Sequence, residues 1–126
     1  MDQIKFTKTH EWISLKGDTG TVGLTDFAQH ELGDIVYVEL PQKGKKVKQG
    51  ETLGMIESVK ASSDFFSPAS GEVIEVNSSL ADAPETVNQS PQNDGWLVKL
   101  KLSNQKELDS LLSAGDYEKT AAEGAH

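Results

Sequence analysis

Apolar and polar positions alternate in short runs through the first hundred residues, and glycine- or proline-containing turns separate the runs. That period predicts strands rather than helices. Residues 10–15 alternate well enough for a strand, and residues 21–24 supply its partner across the turn cluster Lys16-Gly17-Asp18-Thr19-Gly20. Thr25 or Asp26 is placed to cap a short helix through Leu32, with Gly33 closing it. Residues 34–40 form a third strand, rich in Ile, Val and Tyr, which Pro41 ends. Residues 41–50 are a polar loop, and strands follow at 52–59, 63–66 and 71–76. Residues 77–91 are loop, with one helical turn after Pro84. In the strand at 96–102, Trp96, Val98, Leu100 and Leu102 share one side, opposite Lys99 and Lys101. The pattern then changes. Asn104 is an N-cap with Glu107 three residues on, Leu108, Leu111 and Leu112 recur at helical spacing, and Gly115 is a stop before a second short helix at 116–123 and a frayed tail to His126.

These elements predict a mainly β (α+β) fold. Two antiparallel sheets pack face to face, with a C-terminal helix laying its leucines against them. A chain of 126 residues suits one domain over 1–126, with a core at about 4–102 and a helical segment at 104–123. One weak repeat, Gly50-Glu51-Thr52-Leu53 against Gly71-Glu72-Val73-Ile74, hints at two related halves.

Charge and composition narrow the function. Twenty acids face twelve bases, all lysine, for a net charge of −8. Duplex nucleic-acid binding is disfavoured, because backbone contact needs surplus positive charge and no arginine is present to read guanine. With no cysteine, disulfides and thiolate chemistry are excluded, so any sulfur chemistry must come from a cofactor. The spacing of His10, His30 and His126 fits no metal site. Lys43, Lys45, Lys46 and Lys48 read as a solvated loop, with a docking patch for an acidic partner surface as the lesser reading. Residues 1–6 lack the apolar stretch of a signal peptide, and no apolar run approaches the length of a membrane span. A soluble, cytoplasmic monomer is the expectation, with a mature mitochondrial protein left open.

The most informative stretch is strand, tight polar connection, strand: Gly54-Met55-Ile56-Glu57-Ser58-Val59-Lys60-Ala61-Ser62-Ser63-Asp64. It puts Lys60 at a hairpin tip, projecting away from the sheet faces. An acylating enzyme can close around a protruding turn. The small neighbours Ser58, Ala61, Ser62 and Ser63 leave it room. By itself, a lysine at a turn is more often a plain solvated charge.

The motifs Thr9-His10-Glu11-Trp12, Gly23-Leu24-Thr25-Asp26-Phe27-Ala28-Gln29, Leu32-Gly33-Asp34-Ile35-Val36-Tyr37-Val38-Glu39-Leu40-Pro41, Glu57-Ser58-Val59-Lys60-Ala61 and Asp94-Gly95-Trp96-Leu97 occur in one order over roughly residues 6–112. In this the chain resembles the glycine cleavage H proteins, a lipoyl-carrier family. Biotin carriers have methionine on both sides of the lysine, and lipoyl domains of 2-oxoacid dehydrogenases have an acid before it. Here Val59 and Ala61 flank Lys60.

The resemblance implies a barrel-sandwich fold and a lipoate amide on Lys60, attached by a lipoate ligase or lipoyl transferase that recognises Glu57, Ser58, Val59 and Ala61. It further implies a non-catalytic carrier. Such a carrier takes an aminomethyl group from the pyridoxal-phosphate glycine decarboxylase to the tetrahydrofolate-dependent aminomethyltransferase, and its dithiol to dihydrolipoyl dehydrogenase. It also implies a cleft that shelters the loaded arm, mapped here onto Thr9, Glu11, Leu24, Leu32 and Asp64, with Glu11 holding the cationic cargo. Three departures stand out: Thr9 where serine is common, Glu31 where histidine can occur, and the bulk of Phe65-Phe66. The alternatives are a lipoyl relay to other complexes, an unmodified interaction module, or an enzyme. For the last, no nucleophile–base–orienter set is evident.

Overall fold

The computed structural model describes residues 3–124; the predicted tail at Ala125 and His126 lies outside them. Among the described residues nine strands form two antiparallel sheets. They are β1 (Gln3–Phe6), β2 (Glu11–Lys16), β3 (Thr19–Leu24), β4 (Ile35–Glu39), β5 (Lys46–Val47), β6 (Thr52–Ser58), β7 (Ser62–Phe66), β8 (Gly71–Val76) and β9 (Val98–Leu102). The six-stranded sheet runs β1-β2-β3-β9-β8-β5, and the three-stranded sheet runs β4-β6-β7. The helices are α1 (Asp26–Leu32), α2 (Thr86–Gln89) and α3 (Ala114–Gly124), with 3-10 turns at Ser78–Ala81 and Gln105–Ser110.

Alternation carries the core. From the larger sheet Ile13, Val22, Val73, Val98 and Leu100 point inward and are fully buried. Val38, Ile56 and Phe65 meet them from the smaller one. Each such side chain contributes about 1.5–3 kcal/mol by leaving water. The strands of the smaller sheet approach closely at Gly54, where a Cβ would lie 2.1 Å from the Glu39 carbonyl oxygen and 2.8 Å from the Phe65 ring. A second cluster of Phe6, Trp12 and Tyr117, with Phe27, Trp96 and Leu112 beside it, packs α3 onto β1 and β2.

Several expectations change. The strand β1 and the two-residue β5 were not anticipated. β1 has few alternating positions to show, and β5 sits inside the predicted polar loop, defined by its pairing to Gly71 and Glu72. The segment after Asn104 is a 3-10 turn. Asn104 caps it by accepting from the Lys106 amide, while Glu107 turns away from the cap to bond Ser70. Gly115 lies in the first turn of α3 and stops nothing. Leu108 and Leu111 join the main core, but Leu112 joins the second cluster, bridged to Phe6. Trp96 precedes β9 and is half-buried under the Lys99 ammonium, and Leu97 is the buried neighbour. The two repeat openings fall in opposite sheets, at β6 and β8.

Candidate functional site

The hairpin of β6 and β7 ends in a turn braced by one side chain. The Ser58 hydroxyl donates to the Ala61 carbonyl (3.1 Å) and accepts from the Lys60 and Ala61 amides (3.2 and 3.1 Å). The Ser58 amide also bonds Ala61 O at 2.8 Å, and Val59 N–H reaches Asp34 O at 3.0 Å. A turn so tied holds Lys60 in one place while leaving it exposed. Val59 is 65% exposed, and Glu57 and Ser58 are half-buried beside it.

The Lys60 side chain does not stand straight out. It lies along Gly33, where a Cβ would come 3.3 Å from the Lys60 Cε. Gly33 is also the C-cap of α1 at φ +77°, so glycine serves there twice. The platform is fixed from below by Asn88 on α2. Its Oδ1 accepts from the Ile35 amide at 2.9 Å, and its Nδ2 donates to Gly33 O (2.9 Å) and Gln29 Oε1 (3.0 Å).

Leu32, next to Gly33, opens onto a cleft of about 160 Å³. Thr9, Glu11, Leu24, Leu32 and Asp64 all line it, together with His10, Ala28, Glu31, Ile56, Ser63 and Phe65. Residues far apart in the chain meet because α1, β2 and β7 converge there. Asp64 is exposed at the rim, on the register face of Met55. The structure resolves the bulk at Phe65-Phe66: Phe65 is a core residue that floors the cleft.

Glu11 is the unusual member. It is 1% exposed, yet its carboxylate has no cationic partner within 4 Å among the described residues. Hydroxyls and an amide satisfy it instead. Thr7 donates to Oε1 at 2.6 Å, Thr9 donates to the same oxygen, and the Phe66 amide donates to Oε2 at 3.2 Å. Burial pushes its pKa up against the pull of those donors.

The lysines at 43, 45, 46 and 48 are exposed and line two broad open grooves of about 830 and 630 Å³; none of the four lines the cleft, and the larger groove meets it at Asp64. Among the described residues no three His, Asp or Glu side chains group as metal ligands, and His126 lies outside them. Sequence reasoning missed Asn88 and the contacts of His10. Nothing in the local pattern marks either, since their partners are distant in the chain.

A family model described as glycine cleavage H-protein matches residues 4–124. A glycine cleavage system H protein of Symbiobacterium thermophilum is 52% identical over 121 residues, covering 96% of this chain and 94% of its own. One of Caulobacter vibrioides is 56% identical over 115 residues, covering 91% and 95%. The crystal structure of a Mycobacterium marinum glycine cleavage system H protein superposes with a TM-score of 0.87 at 36% identity, over 95% of this chain and 97% of that one. By sequence and by fold the chain belongs to the glycine cleavage H-protein family, a carrier component of the glycine cleavage system and not one of its enzymes.

Proposed function

We propose that Lys60 carries lipoate as a covalent amide and that the chain shuttles an aminomethyl group from glycine decarboxylase to the aminomethyltransferase, then presents its dithiol to dihydrolipoyl dehydrogenase. The observation that carries this reading is an exposed primary amine on a braced turn, its side chain along Gly33, whose neighbour Leu32 lines a cleft that holds a buried carboxylate. When bound, the lipoyl group supplies a dithiolane able to hold the aminomethyl unit and, reduced, to carry two electrons.

The chain's own residues do the rest. The Ser58 brace presents the amine to the attaching enzyme, which contacts Glu57, Ser58, Val59 and Ala61. Tethering keeps the cargo at high local concentration for each docked enzyme. The cleft is about the size of an apolar cavity that holds one benzene ring, about 150 Å³. A cleft of that size would admit the ring end of an arm tethered to Lys60. Leu24, Leu32, Ala28 and Phe65 exclude water from that end. Glu11 offers the cationic amine an anion already stripped of solvent, so their contact is strengthened by the low local dielectric. Thr9 and Asp64 complete the polar side.

The test is intact mass after incubation with lipoate, ATP and a lipoate ligase. One lipoyl increment is expected, mapped by peptide digestion to Lys60. Lys60→Arg should fold with the wild-type circular-dichroism spectrum and lose the increment entirely, along with all support of glycine decarboxylation. A folded Lys60→Arg chain that still takes the label or still supports the reaction defeats the reading.

A further inference from the structure

His10 lies in the cleft wall beside Glu11, and its surroundings are over-determined. It is the one non-glycine among the described residues at positive φ, +72°, a conformation that most side chains avoid. Its amide bonds Thr7 O (3.2 Å), and its carbonyl accepts from the Thr25 amide (3.0 Å). Its ring lies 4.5 Å from Phe27 and edge-on to Tyr117 at 5.6 Å. Its Nδ1 is 2.7 Å from the Tyr117 hydroxyl, which is itself 2.7 Å from Thr25 Oγ1. Thr25 Oγ1 also accepts the Ala28 amide of α1.

The direction of this chain of bonds can be worked out from its buried end. Thr25 is 2% exposed, and among the described partners its hydroxyl proton has only one acceptor, the Tyr117 oxygen. Tyr117 then spends its own proton on His10 Nδ1. Nδ1 must be a bare acceptor, which puts the ring proton on Nε2 and leaves the imidazole neutral. The reverse direction would strand the Thr25 proton in a buried site.

One carboxylate of the cleft, on α1, favours the opposite outcome. Glu31 on α1, Glu11 next to it and Asp64 across the cleft are all carboxylates, and Glu31 raises the imidazole's pKa. Burial lowers it, more strongly. A cationic His10 would place a positive charge in the wall of the cleft and disfavour a cationic guest there. We propose that Tyr117, acting with Thr25, is a positioning and specificity-determining residue: it holds His10 as the neutral Nε2-protonated tautomer, so that the Glu11 carboxylate stays free for an alkylammonium guest. The C-terminal helix thereby acts on the cleft wall through His10 and does more than pack. This rests on the reading of the cleft as the shelter of a tethered amine.

The test uses the unmodified full chain. Long-range nitrogen–proton NMR should show His10 as one neutral tautomer, with Nδ1 unprotonated, at pH 7. In Tyr117→Phe, which keeps the ring stacked on Phe6 (4.9 Å in the native chain), the tautomers should mix and His10 should titrate at higher pH. Methylammonium chloride should shift the Glu11 carboxyl carbon saturably in the wild type, with sodium chloride as the control. The apparent affinity in Tyr117→Phe should be several-fold weaker. A wild-type His10 that carries the proton on Nδ1, an unchanged tautomer in the variant, or no methylammonium response overturns the proposal. None of these readings depends on whether Lys60 is lipoylated, so failure of the lipoyl assignment is seen separately.

Discussion

Two carboxylates tie distant parts of this chain together, Glu11 under the cleft and Glu107 near the C-terminal end, and their surroundings differ. Glu107 accepts from the Ser70 amide at 2.7 Å and the Ser70 hydroxyl at 2.8 Å, which joins the 3-10 turn to the loop before β8. It is half-exposed, so water still solvates part of its charge. Glu11 also accepts from one amide and from hydroxyls, and it joins β2 to β7, but it is almost wholly buried. A latch needs only the first arrangement. Burying an anion without a cation costs free energy, and a fold retains that cost where the charge has another use. The contrast separates a solvated latch from a buried, uncompensated carboxylate within a single chain, and it supports the proposed role of Glu11.

The largest expected effect comes from stripping the donors of Glu11. Thr7→Val with Thr9→Val removes two hydroxyl bonds to a buried charge and should destabilise the fold by about 4 kcal/mol, at about 2 kcal/mol per bond to a charged group. Urea unfolding at pH 7 measures it. A loss under about 1 kcal/mol would mean that water reaches Glu11, and the contrast with Glu107 would vanish. Glu107→Gln should cost less, about 1 kcal/mol, because the amide can keep one bond and the site stays wet. The nuclear resonances of the cleft residues should stay in place in that variant. Shifts at Leu24 or Leu32 would show that the two sites are coupled.

The ease of reading these two regions from sequence also differs. The hairpin at Lys60, the strands of both sheets other than β1 and β5, and the capped α1 are local patterns: alternation, a Ser-Val-Lys-Ala turn, a Thr before the helix and a Gly after it. Their periods survive in the chain order. Glu11 was mapped to the cleft by motif resemblance alone, since an acid opening a strand looks like any exposed strand end. Its burial follows from β7 and α1 closing over β2, contacts between residues 55 positions apart or scattered through the chain. Asn88 and Tyr117 show no role in the sequence for the same reason, and Glu107, expected in the Asn104 capping box, bonds Ser70 instead. Each bonds across the fold to a backbone or hydroxyl group that has no sequence signature. Lys60 itself was placed correctly at the tip, but its lean onto Gly33 depends on where α1 ends in space.

The smallest expected effect has the unusual sign. Glu11→Gln keeps the side chain's shape, and the Thr7 and Thr9 hydroxyls can turn to accept from the new amide while its oxygen takes the Phe66 N–H. The variant removes the buried charge and keeps most of the bonds. In the wild type the native carboxyl titrates above the unfolded one, because burial raises it from the model value of 4.5. Between those two pKa values the native state binds more protons than the unfolded state, so wild-type stability falls as pH rises through that window. Below it the carboxyl is protonated in both states and no contribution changes with pH. Glu11→Gln should therefore match the wild type in acid and become the more stable chain toward neutral pH, as measured by urea midpoints across pH 4 to 8. The same substitution should abolish the methylammonium response of the cleft. A chain that gains stability by losing a charge while losing its guest locates the cost of that charge in binding. If Glu11→Gln instead destabilises by the same amount at every pH, the native carboxyl titrates with the unfolded one, its burial carries no charge penalty, and Glu11 belongs with Glu107 after all.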